Sequence, residues 1–154
     1  MMDSKPYAQE AEVKRLELIV GLTTVDEIVA WADGILRADH PYDDDVANLS
    51  LGRRASETEL ISWLDNIARG ADKMQALRCM LGNMHRVLSV DRTNAGKFVK
   101  ELFFLYTKNI RELPKEMSFM TWYWDQFDLA QDGILSAPDA VIDDLLQELS
   151  RYDV

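Results

Sequence analysis

Helical periodicity runs through this sequence almost without a break, and it leaves little room for any other backbone. Val25, Ile28, Val29, Ala32, Ile35 and Leu36 recur at the i, i+3, i+4, i+7 spacing that gathers side chains on one helix face. The spacing returns in Leu60, Ile61, Leu64, Ile67 and Ala68, in Leu77, Met80, Leu81, Met84 and Leu88, and in Val141, Ile142, Leu145, Leu146 and Leu149. No segment alternates apolar and polar residues in the period of two that a half-buried strand needs. Only 7 Gly and 4 Pro interrupt the 154 residues.

The interruptions predict where helices start and stop. Ala8 to Val20 forms a first helix with Val13, Leu16, Ile19 and Val20 on one side, and Gly21 ends it as a C-cap. Thr24 caps the next helix, with Asp26 and Glu27 in the first turn, where the helix dipole favours acids. His40-Pro41 breaks the chain, and Asp43 to Leu51 forms a short helix. Ser56-Glu57-Thr58-Glu59 has the form of a capping box, and Gly70 follows the helix it opens. Asp72 to Ser89 is the next helix. Thr93 or Asn94 caps a long one running to about Leu113, a further helix runs from Pro114 to Gly133, and Ser136 with Pro138 and Asp139 starts the last. The expected architecture is all-α: one domain over residues 1–154, of seven or eight helices packed as antiparallel helical hairpins. With 47% hydrophobic residues, a chain of this length buries enough surface to need neither disulfides nor a structural metal.

Residues that carry chemistry are sparse. The single cysteine, Cys79, excludes an internal disulfide and any zinc site built on cysteines. Of the 2 histidines, His40 precedes a proline and His85 sits at the edge of an apolar stripe, and neither adjoins a Ser or Cys in a nucleophile motif. Asp128 to Asp139 has the length of an EF-hand loop, with acids at its first, fifth and last positions and Gly133 at the sixth. Ala130 stands at the third position, where a ligand is required, and Asp139 at the last is shorter than the usual glutamate. Helix punctuation explains the same residues, so no metal and no cofactor are expected, and no enzyme. No apolar run is long enough to span a bilayer. The opening MMDSKPYAQEAEVKRLE has no apolar core of the kind a secretory signal carries, and the expected location is the cytoplasm.

Charge is the strongest functional feature. The chain has 27 acids and 17 bases, a net of −10, distributed unevenly. Residues 1–68 hold 14 acids and 6 bases, residues 69–111 hold 3 and 9, and residues 112–154 hold 10 and 2, giving −8, +6 and −8. A field of this sign favours basic partners and disfavours nucleic acid. Two acid groups suit a binding surface. Asp139, Asp143 and Asp144 form one, with Tyr123 as its aromatic anchor; Asp43, Asp44 and Asp45 form the other. Aromatics crowd Phe119, Trp122, Tyr123, Trp124 and Phe127 too densely for one helix face, and Tyr123 and Trp124 are expected to be spare. The basic middle supports an alternative: Lys97, Lys100, Phe104, Lys108 and Arg111 fall within an arc of roughly 80° on one helix. Cations around an aromatic suit a nucleic-acid-associated regulatory protein, although a few cations on so acidic a chain release few counterions.

The segment from Leu16 to Asp33, LELIVGLTTVDEIVAWAD, carries an apolar helix, a Gly-Leu turn and an amphipathic helix. With the Asp132-Gly133-Ile134 step before a last amphipathic helix, it resembles small helical bacterial immunity proteins of contact-dependent growth inhibition and related polymorphic toxin systems. The resemblance covers roughly the first 40 and the last 30 residues. It implies a cytoplasmic protein without catalysis that binds and neutralises a toxin domain. Toxin nuclease domains are commonly basic because they grip phosphate, and an acidic inhibitor then gains association rate by steering. Immunity proteins share no one set of functional residues, so the resemblance assigns none.

Overall fold

In the computed structural model, residues 7–38, 44–133 and 138–153 are described. They form eight α-helices: α1 Ala8–Val20, α2 Val25–Arg37, α3 Asp44–Ser50, α4 Glu57–Ile67, α5 Lys73–Val90, α6 Ala95–Lys108, α7 Tyr123–Gln131 and α8 Pro138–Leu149. Three 3₁₀ segments, Gly52–Arg54, Lys115–Thr121 and Ser150–Tyr152, complete the order, and no strand occurs among the described residues. The chain is all-α. Within the span read as one domain it clusters into two compact units, Met1–Met80 and Leu81–Val154, with the division inside α5.

In the first unit α1 packs on α4, α2 on α3, and α3 on α4. The α1–α4 pair joins elements distant in sequence, so hairpins between neighbours are only part of the packing. The core is aliphatic: Ile28, Val46, Leu49, Leu60, Leu64 and Ile67 are buried in one cluster. The helix ends follow local chemistry. Gly21 takes a left-handed φ of 90°, and its N–H donates to the Glu17 carbonyl oxygen at 2.9 Å. The Thr24 hydroxyl accepts from the Glu27 N–H at 3.2 Å. At Ser56 the capping box is complete: Oγ accepts from the Glu59 N–H at 3.1 Å, and Glu59 Oε1 accepts from the Ser56 N–H at 3.3 Å. One buried residue breaks the apolar pattern. Glu12 is inside, and Arg15 grips its carboxylate with two bonds, from Nε at 2.8 Å and Nη2 at 2.7 Å.

In the second unit α6 packs on the 3₁₀ segment Lys115–Thr121 and on α7, and α7 packs on α8. Two expected boundaries move. The helix expected to reach Leu113 ends at Lys108, because the Asn109 side chain donates to the Leu105 carbonyl oxygen at 2.8 Å and the backbone then turns. The helix expected from Pro114 to Gly133 is two pieces. A 3₁₀ segment of three residues per turn lines up Met117 and Met120, both buried, before α7 resumes the α pitch. Asn94 precedes α6 without a side-chain capping bond. Instead the Asp91 carboxylate accepts from the Thr93 N–H at 2.9 Å and its hydroxyl at 2.5 Å, which holds the Asp91 pKa below its usual value.

Candidate interaction surfaces

The acid group on α8 is not the open patch that its composition implies. Arg92, from the turn before α6, reaches it: Nη2 donates to Asp143 Oδ1 at 2.6 Å, and Nη1 to Asp139 Oδ1 at 3.4 Å and to the Asp139 carbonyl oxygen at 3.3 Å. Asp143 foremost, then Asp139, raises the pKa of the guanidinium further. Two of the three acids therefore carry a counter-ion, while Asp144 is exposed and forms no ion pair among the described residues.

Tyr123 as an exposed anchor is corrected. Its side chain is 6% exposed, and burial, followed by the charges of Glu148 and Asp144, pushes its phenol up to about 12. The exposed aromatic is its neighbour Trp122, at 49%, with ring centroids 6.3 Å apart. The 3₁₀ segment shifts the phase of everything after it, which exchanges the two residues between core and surface. Trp124 is half-buried against Phe103 and Phe104, at 4.9 and 5.2 Å between ring centroids.

Of the other acid group, Asp44 and Asp45 stand in the first turn of α3, Asp44 exposed and Asp45 half-buried; Asp43 lies outside the described residues. The Asp128–Asp139 segment is described except for 134–137, and Asp128 and Asp132 are exposed. The basic stripe is shortened. Lys97, Lys100 and Lys108 are exposed on α6 and form no ion pair among the described residues, but Arg111 lies past the helix end and Phe104 is engaged with Trp124. Cys79 is exposed on α5. His85 Nδ1 lies 2.7 Å from Asp153 Oδ2, whose other oxygen accepts from Arg86 Nε at 2.8 Å.

Sequence reasoning missed one surface. Asp125, Asp128 and Asp132 are all exposed along α7 and fall within about 60° of one another. Their i, i+3, i+7 spacing is legible in the sequence, on a helix whose buried side carries Tyr123 and Phe127. No helix among the described residues is long and apolar enough to cross a membrane. No protein-family model, curated protein or solved structure matches the chain.

Proposed function

We propose that this chain is a protein-binding module, and in its sharpest form a cytoplasmic immunity protein that binds and neutralises a toxin domain with a basic face. The observation that supports this reading is the uncompensated acid of the first unit. Asp44, Glu57 and Glu59 are exposed without an ion pair among the described residues, and the cation contacts of Asp26 and Asp65 are long, 3.8 and 3.9 Å. Such a surface attracts a basic partner at long range and is screened by salt. With Asp139 and Asp143 tied to Arg92, the Asp44–Asp45 end of α3 becomes the stronger of the two acid groups. Leu51, 86% exposed just after that helix, supplies an apolar contact beside it. The nucleic-acid reading loses ground, because three cations give only a shallow salt dependence, a logarithmic slope of about 2 on a single strand.

The test is capture of the partner from the source cells, followed by association kinetics on the purified pair at two ionic strengths. Asp44→Lys with Asp45→Lys slows association and flattens its salt dependence, and Asp143→Lys with Asp144→Lys does so less. Co-expression with the captured domain restores growth if that domain is a toxin. A partner that is not basic, or an association rate indifferent to salt and to both reversals, overturns the reading.

A further inference from the structure

The 3₁₀ segment Ser150–Tyr152, with Asp153 after it, lies on α5 as a peptide lies in a binding seat. Gly82 faces it so closely that a Cβ there would stand 2.5 Å from the Tyr152 carbonyl oxygen and 3.4 Å from the Asp153 Cα. One turn further along α5, His85 and Arg86 divide the Asp153 carboxylate between them. Nδ1 of His85 lies 2.7 Å from one oxygen, and Nε of Arg86 donates to the other at 2.8 Å. The Tyr152 ring stacks on Phe119, with centroids 6.1 Å apart and planes 26° from parallel. All of these residues belong to the second unit. The seat is pre-organised. Asn83 Oδ1 accepts from Arg86 Nη1 at 2.8 Å, so the guanidinium is aimed from within its own helix. Phe119 is buried. Glycine is disfavoured inside a helix, and at Gly82 it leaves room for the main chain of another segment. The segment on the seat brings less of its own. Its turn is closed by a bond of 3.3 Å from the Asp153 N–H to the Ser150 carbonyl oxygen, and Ser150 and Arg151 are exposed. Its charge contacts are half-exposed and screened by solvent. A segment held in this way opens more readily than the helices beneath it.

We infer that residues 150–153 are a self-ligand, and that the seat on α5 takes in their place a segment of another protein in which an aromatic residue is followed directly by Asp or Glu. Each part of the seat selects one feature of that pair. The bare Gly82 backbone admits the main chain of the aromatic residue, and Phe119 receives its ring. His85 and Arg86 each take one oxygen of an ionised carboxylate, the bonding that favours a charged acceptor. A basic residue in the acid's place would meet Arg86 as a like charge. A second copy of this chain does not reach the seat. Leu149, directly before the segment, is buried in α8, so the segment cannot extend to another molecule without unpacking its own helix. The chain's own segment competes as an intramolecular ligand and weakens the binding of any incoming one.

The experiment is a nuclear magnetic resonance titration of the full chain with the peptide acetyl-Ser-Arg-Tyr-Asp-amide, which repeats residues 150–153. The peptide is taken to about 10 mM, the range suited to so small a ligand. Asp153→Lys sets a cation against Arg86 and releases the chain's own segment, which faster amide exchange at Tyr152 verifies. That variant binds the peptide with saturable shifts at Gly82, His85 and Arg86. The unaltered chain binds it about tenfold more weakly, because its own segment competes. Replacing the peptide's Asp by Asn, or its Tyr by Ala, weakens binding to the variant by about tenfold or more, and so does adding Arg86→Ala to the chain. Gly82→Ala separates a seat from a mere attachment. It also releases the segment, but it fills the place of the incoming main chain and gains no peptide binding. Circular dichroism verifies that each variant keeps its helices. The proposal is overturned if Asp153→Lys leaves Tyr152 exchange unchanged, or if the released chain shows no shifts at the seat. Equal binding by the unaltered and released chains overturns it too, as does equal binding of the Asn peptide. A dimer of the unaltered chain that the peptide dissociates overturns it in favour of exchange between copies. The first-unit acids play no part, so this test and the partner test fail independently.

Discussion

The two units hold their helices in different ways. In the first, helix ends are set by partners a few residues away: the Gly21 backbone on α1, the Thr24 side chain on α2 and the Ser56–Glu59 box on α4. Its core is a set of aliphatic stripes, and the exception is a charged pair that bonds within one turn, Glu12 to Arg15. In the second unit Asn94 and Trp122 precede helices without capping bonds, and the core is rich in aromatic and methionine side chains such as Phe98, Phe119, Met117 and Met120. Its order rests on contacts far apart in sequence: Arg92 on Asp139 and Asp143, Asp153 on His85 and Arg86, Tyr152 on Phe119 at 6.1 Å. Short-range capping chemistry and contacts between residues far apart in sequence thus each define helices within one chain.

The largest expected effect tests the exception in the first unit. The Glu12 carboxylate is 2% exposed and its partner Arg15 only 20%. Replacing Arg15→Met keeps the apolar stem but leaves the carboxylate buried and unpaired, at a cost of about 3–5 kcal/mol. Adding Glu12→Leu removes that charge and recovers most of the loss, because an apolar pair of similar volume replaces the ions. Urea denaturation of the two variants measures both steps. A cost below about 1 kcal/mol for Arg15→Met would mean that water reaches Glu12, and the first unit would then be held by its aliphatic stripes alone.

The next effect tests the second unit's long-range contacts. A Cβ on Gly82 would stand 2.5 Å from the Tyr152 carbonyl oxygen and 3.1 Å from its carbonyl carbon. Those are backbone atoms that no rotamer change can move aside, so Gly82→Ala pushes the 150–153 segment off α5. Overpacking of this kind costs about 1–3 kcal/mol. Alanine itself favours a helix interior over glycine by up to about 1 kcal/mol, which offsets part of that. Amide exchange in residues 150–153 accelerates, whereas the α1–α4 amides keep their rates. An unchanged exchange rate at Tyr152 and Asp153 would show that the close approach is not a constraint.

The same difference decides what was legible in the sequence. Thr24, Ser56 and Gly21 could be read because their partners lie within four residues, and the aliphatic stripes because their period is the helix's own. The end of α6 was misplaced because an asparagine bond to the turn before it, Asn109 to Leu105, has no periodic signature. The anchor was misassigned because reading one α-helix through 114–133 carries the wrong phase past the 3₁₀ segment, so that Tyr123 and Trp122 exchange roles. Arg92 on Asp139 and Asp143 spans 47 and 51 residues, and only the fold brings them together. The acids of the candidate surface are thus legible as composition, but the pairing of Asp139 and Asp143 with Arg92 is not.

The smallest expected effect isolates the charge in the long-range contacts. Asp153 has its carboxylate held below its ordinary pKa, first by the hydrogen bond to His85 and then by Arg86. A depressed carboxylate contributes to the fold above its unfolded pKa of about 3.9, and that contribution is lost as pH falls through the lower folded value. The 150–153 segment is therefore attached fully at neutral pH and loosens only in acid. Solvent screens these groups, so the loss is smaller than either substitution above produces. Carbon-13 titration of the Asp153 carboxyl reads it directly, with a midpoint below about 3.9. His85→Ala moves that midpoint back further than Arg86→Ala, because the histidine bond is the larger cause, and Gly82→Ala moves it as well by lifting the segment away from both partners. A midpoint at or above 3.9 in the unaltered chain would show that Asp153 is not held. The long-range attachment of the second unit would then rest on the Gly82 contact and the Tyr152–Phe119 stack without help from charge.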